Sequence, residues 1–157
     1  MSEPWIARKR YRVDLPELIS QGEENYARLM GLMRALGDDD HVRLVVDETG
    51  ERVLDVKVLE RCRYTTELSL QQDTLHALLP GPSLTVRLYH DARLAEVTAA
   101  DQFRRVAARH DYPNPSMHQP NEKQQWNRFL GEWLRHVRAH GRISPEAWRE
   151  RVRVGNV

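Results

Sequence analysis

The stretch Ser83 to Val97, Ser-Leu-Thr-Val-Arg-Leu-Tyr-His-Asp-Ala-Arg-Leu-Ala-Glu-Val, constrains the fold more than any other part of the chain. Leu84, Val86 and Leu88 alternate with Thr85, Arg87 and Tyr89, which is the period of a half-buried strand. A reversal inside His90-Asp91-Ala92-Arg93 sets Val86 opposite Val97, Leu88 opposite Ala95 and Arg87 opposite Glu96. One face of this hairpin is apolar and forms a core wall. The other carries Arg87, Glu96, Tyr89 and Leu94, a chemically mixed surface.

The rest of the chain supplies what such a hairpin needs. Asp14 is a helix cap, Pro16 suits the first turn and Glu17 sits three residues on, as in a capping box. Leu15, Leu18, Ile19, Tyr26, Leu29, Met30, Met33 and Leu36 then return at helical spacing, with Gly22 on the same stripe where another element approaches closely. Gly37 and the aspartates 38–40 end this helix. Val42, Leu44 and Val46, the turn Asp47-Glu48-Thr49-Gly50, and Leu54, Val56 and Val58 read as a first hairpin. A charged bend from Glu60 to Arg63 leads into a third strand with Tyr64, Thr66, Leu68 and Leu70 inward and Arg63, Thr65, Glu67 and Ser69 outward. Asp73 to Pro82 reads as a loop or short helical turn. Phe103, Val106 and Ala107 suit a short helix over Asp101 to Arg109, while its position after a hairpin favours another antiparallel strand. His110 to Pro115 reads as a stiff loop. From near Asn121, the residues Trp126, Phe129, Leu130, Trp133, Leu134 and Val137 make the stripe of a second long helix closed by His140 and Gly141. The expected fold is α+β: a mainly antiparallel sheet of five or six strands with an N-terminal and a C-terminal helix packed on one face. Residues 1–13 read as a basic arm, 14–141 as one domain and 142–157 as a short extension carrying Trp148.

Composition narrows the function classes. The 157 residues carry a formal charge of only +1 with 30% charged residues, so wholesale attraction to nucleic acid or an anionic membrane is not implied. Neither an apolar leader core nor a bilayer-length run is present in the sequence, which predicts a cytosolic protein with no membrane partner. The single cysteine, Cys62, fits a reducing compartment, and its parity with Val58, Tyr64 and Leu68 predicts a small inward residue rather than a reactive thiol. Walker, Rossmann, paired Cys-x-x-Cys and His-Glu-x-x-His signatures are all missing. No cofactor and no metal are therefore expected.

Lys9-Arg10-Tyr11, Asp14 with Pro16-Glu17, Arg63-Tyr64-Thr65-Thr66, the hairpin from Leu84 to Val97, Asp111-Tyr112-Pro113-Asn114, His118-Gln119, Glu122-Lys123, Phe129-Leu130, Trp133-Leu134 and Ala139-His140-Gly141 occur in this order. Together they resemble the YqiB-like bacterial proteins of unknown function, over almost the whole span from Lys9 to Gly141. The resemblance implies a small cytosolic bacterial domain and carries over no catalytic residue.

Candidate site residues come from the outward parity of the strands and the loop before the last helix. Arg63, Thr65, Arg87 and Tyr89, joined by Arg109, His118 and Lys123, place cations and hydroxyls where a phosphate or carboxylate could bind. Against this, Glu96 opposite Arg87 offers it an ion pair. The expected function is a non-catalytic binding or regulatory module that recognises an anionic small molecule or an acidic protein partner. A metal-assisted hydrolase or phosphoesterase built on the pairs His90-Asp91 and His110-Asp111 with His118 is one alternative. A single-stranded nucleic-acid binder is the other, disfavoured by the near-zero net charge.

Overall fold

The computed structural model describes residues 14–74, 81–100 and 120–143. The expectations for residues 1–13, 101–119 and 144–157, including those for Arg109, His110 and His118, lie outside the described residues. Helix α1 spans Leu15–Leu36, followed by strands β1 (His41–Val45), β2 (Arg52–Arg61), β3 (Thr65–Thr74), β4 (Ser83–Tyr89) and β5 (Leu94–Ala100). Helix α2 (Pro120–His140) and a two-residue strand β6 (Arg142–Ile143) complete the order. The six strands form one sheet in the order β5-β4-β3-β2-β1-β6, with every pair antiparallel.

Local chemistry sets the boundaries. The Asp14 carboxylate accepts from the Glu17 amide at 3.2 Å, and Gly37 ends α1 with a φ of 65° that an L side chain adopts only at a cost. In the β1–β2 turn the Thr49 hydroxyl and the Gly50 and Arg52 amides all donate to Asp47. The Thr49 bond foremost, against a smaller desolvation effect, holds that carboxyl below its ordinary range. In the central hairpin Val86 faces Val97, Arg87 faces Glu96 and Leu88 faces Ala95. A bulge between Thr85 and Val86 shifts the remaining pairs.

The inward residues of all five long strands, with Leu29 of α1 and Leu130, Trp133, Leu134 and Val137 of α2, make one buried cluster. Both helices therefore cover the same sheet face. Gly22 lets α1 lie close to the hairpin, since a Cβ there would meet Leu94 Cδ2 at 3.1 Å. Helix α2 is pinned at two places: Asn127 Oδ1 accepts from the Val97 amide of the edge strand at 2.9 Å, and His136 Nε2 donates to the Val46 carbonyl at 3.0 Å. The first bond satisfies an amide on the sheet edge that would otherwise seek a second chain.

Several expectations are corrected. Leu15 and Ile19 are exposed, because the line of α1 that meets α2 runs through Glu17, Gln21 and Asn25 instead. Cys62 and Tyr64 are also exposed: β2 ends at Arg61, the chain turns with the Cys62 amide bonded to the Thr65 carbonyl at 2.8 Å, and strand parity does not extend through a turn. Strand β3 continues to Thr74, taking in the start of the expected loop. The sixth described strand is β6, paired with β1 after α2, so the sheet continues just past the expected domain end at 141.

Candidate functional site

Strand parity puts Thr65 and Glu67 of β3, Arg87 and Tyr89 of β4, and Glu96 of β5 on the face away from the helices. There the predicted cations meet carboxylates. Arg87 Nη2 donates to Glu67 Oε2 at 2.8 Å, so the arginine pairs with the neighbour on β3 rather than with Glu96. Hydrogen bonding to Glu67, then to Tyr89, raises the Arg87 pKa above its ordinary value. Glu96 in turn accepts from the Tyr89 hydroxyl at 3.0 Å and pairs with the Lys123 ammonium, which reaches over from the first turn of α2. Thr65 lies opposite Tyr89 in register, and Arg63 stands apart at the β2–β3 tip, its guanidinium 5.3 Å from the centre of the exposed Tyr64 ring. At the other end of this face Asp55 accepts from His41 and from two nitrogens of Arg43. The structure thus gathers Thr65, Arg87, Tyr89 and Lys123 into a surface whose charges are matched internally.

His90 is the candidate metal ligand that the structure describes, and both of its ring nitrogens are engaged. Nδ1 lies 3.0 Å from the Tyr26 hydroxyl and Nε2 lies 2.8 Å from the buried Thr66 hydroxyl, closing the end of the core between α1 and the sheet. No cluster of three or more His, Cys, Asp or Glu side chains suited to a metal ion occurs among the described residues.

A different concavity lies between the helices. Near their N-terminal halves α1 and α2 are tied by Glu17 to Gln124 and Arg128, and by Asn25 Nδ2 to the Asn127 carbonyl. Farther along they leave a groove of about 510 Å³. Ala27, Gly31, Leu32 and Ala35 line one wall, Leu134 and Val137 the other, and Leu44 also contributes. Arg28, Arg138, Gly141 and Arg142 complete the lining, which contains no Asp or Glu. Sequence reading missed this groove. Its only signal was Ala27, Gly31 and Ala35 recurring every four residues beside the apolar stripe.

The model of the "Protein of unknown function (DUF1249)" family matches residues 28–143. The chain belongs to the DUF1249 family. "Uncharacterized protein YqiB" of Escherichia coli K12 is 40% identical over 138 residues, covering 87% of this chain and 96% of that relative. The YqiB proteins of Escherichia coli O6:H1 and O157:H7 match to the same extent. No solved structure matches the chain significantly. The family match covers α1 from Arg28 onward and every later described element, so all the groove-lining residues except Ala27 lie in the DUF1249 region. No described helix is long and apolar enough to cross a membrane.

Proposed function

We propose that this DUF1249 protein is a non-catalytic binding module of the cytosol that receives an acidic, amphipathic helical segment of a partner protein in the groove between α1 and α2. The observation that carries this reading is the lining itself: an apolar concavity bordered by three arginines and no carboxylate. Helix-in-groove recognition uses an apolar stripe for affinity and complementary charge for orientation. Ala27, Gly31 and Ala35 fall on one line of α1 and span about 12 Å, two helical turns at 1.5 Å per residue. A Cβ built on Gly31 meets nothing within 4 Å, so the wall is open at its middle. Arg28 is paired with Glu24 and Arg142 reaches the Asp47 and Glu48 carbonyls, whereas Arg138 has no ion-pair partner among the described residues. The outer sheet face, with Arg63, Thr65, Arg87, Tyr89 and Lys123, is the weaker candidate, because a ligand there would have to displace Glu67 and Glu96 from the cations it needs.

The test is fluorescence anisotropy with a synthetic helical peptide of about 15 residues bearing a leucine stripe flanked by glutamates. The peptide is expected to bind more weakly as salt rises, and about tenfold more weakly or worse when its glutamates become lysines. Gly31→Leu, which fills open space and improves helix propensity, is expected to abolish binding while the protein stays folded. Equal binding of the lysine peptide, or undiminished binding to folded Gly31→Leu, would refute the reading.

A further inference from the structure

We infer that a second groove, on the hairpin side of α1, binds a small molecule through an anionic head, a phosphate or a carboxylate. This site is independent of the helix-docking groove; the two share only Ala27. The second groove has a volume of about 500 Å³ and is lined by Glu23, Tyr26, Ala27, Met30 and Arg34 of α1, with Arg93 from the tip of the β4–β5 hairpin.

Two arginines border this space, and neither has a carboxylate partner among the described residues. This sets them apart from Arg87, Arg43 and Arg61, each of which pairs with an acid. Side chains on a helix lean toward its N-terminus, so Arg34 reaches back over Met30 toward Tyr26. Glu23 lies eleven residues earlier on the same helix, about 16 Å away along the axis. The lining thus offers two guanidinium groups for the anionic head and a carboxylate for a donor group on the same molecule.

The turn adds an independent observation. Arg93 has a φ of 52°, the one positive φ at a non-glycine position among the described residues. Glycine or asparagine is the usual choice there, and an arginine held in this region is a local cost of the kind that clusters at ligand sites.

The Tyr26–His90–Thr66 chain supplies a third donor with a consistent proton arrangement. When the Thr66 hydroxyl donates to His90 Nε2, His90 Nδ1 carries the proton and donates to the Tyr26 oxygen. The Tyr26 O–H is then free to donate into the groove. With Nδ1 unprotonated, Tyr26 spends its only proton on the histidine. An anion in the groove thus acts through Tyr26 to select the Nδ1-protonated form of a ring it does not touch.

The experiment is titration of the full-length protein with sodium phosphate and, separately, sodium acetate at constant ionic strength, followed by the histidine ring nitrogen resonances and by calorimetry. Binding of either anion in the millimolar range or tighter is expected, with a shift of the His90 ring toward the Nδ1-protonated form; whichever anion binds more tightly identifies the head group. Arg34→Gln is expected to weaken binding about tenfold. Arg93→Gly is expected to do the same while raising the melting temperature, because glycine relieves the positive φ. Tyr26→Phe is expected to weaken binding and to uncouple His90 from the anion. The inference is overturned if neither anion binds, or if folded Arg93→Gly binds as the parent does.

Discussion

At the outer sheet face the Asp55 carboxylate, 8% exposed, accepts from the His41 ring and from two nitrogens of Arg43. Burial pushes its pKa up, but the hydrogen bonds from Arg43 and then His41 outweigh that and hold it below the ordinary 3.8. A carboxylate with a depressed folded-state pKa adds stability above its unfolded pKa and loses it as pH falls through the folded value. Asp55→Asn is therefore expected to cost about 1 to 3 kcal/mol at neutral pH. In urea titrations the gap between parent and variant should narrow once pH drops below about 4; a gap that stays constant with pH would show that the pair is not carrying the charge. At this scale the sequence was half legible. It placed Arg87 opposite Glu96, yet β4 lies between two strands and Glu67 is opposite Arg87 on the other side. Nothing in the order of residues says which carboxylate a long guanidinium side chain will choose. Cys62 was misplaced for a related reason: alternation predicts a face only while the strand lasts.

Among the elements, α2 carries the largest share of the helical contribution to the core, and Trp133 is its bulkiest buried side chain. Trp133→Ala is expected to lower stability by about 3 to 5 kcal/mol. Trp133→Phe should cost clearly less, since the indole Nε1 is buried without a hydrogen-bond partner among the described residues, and losing it removes that donor. Chemical denaturation measures both, and equal losses would contradict the packing described. The hairpin register and the ends of both helices were legible because short-range chemistry fixes them: alternation, a capping aspartate, a terminal glycine. The phase of the first turn of α1 was not. Leu15 and Ile19 fit a helical stripe, but the crossing of α2 turned a line of Glu17, Gln21 and Asn25 inward, and that crossing depends on residues more than 100 positions away. The bond from the Val97 amide to Asn127 is equally invisible in sequence, being a contact between a bulged edge strand and a helix that follows it much later.

For the whole molecule, antiparallel pairing orders the sheet, the two helices cover its apolar face, and the arginine-rimmed groove lies between them. Binary patterning made the layers readable, whereas the groove is lined by two helices far apart in sequence and is a tertiary result that no window of sequence encodes. The same distinction separates the two candidate surfaces: outward strand parity pointed to Arg63, Thr65, Arg87, Tyr89 and Lys123, while the assembled fold leaves apolar lining and unmatched arginine charge between α1 and α2. Backbone-amide chemical-shift mapping with the glutamate-flanked peptide decides between them in one measurement. The account predicts that the largest perturbations fall on Gly31, Ala35, Arg138 and Gly141, with the strand amides of Glu67, Arg87 and Glu96 unmoved. Perturbations centred on Arg87 and Glu96, with Gly31 and Gly141 unchanged, would contradict it.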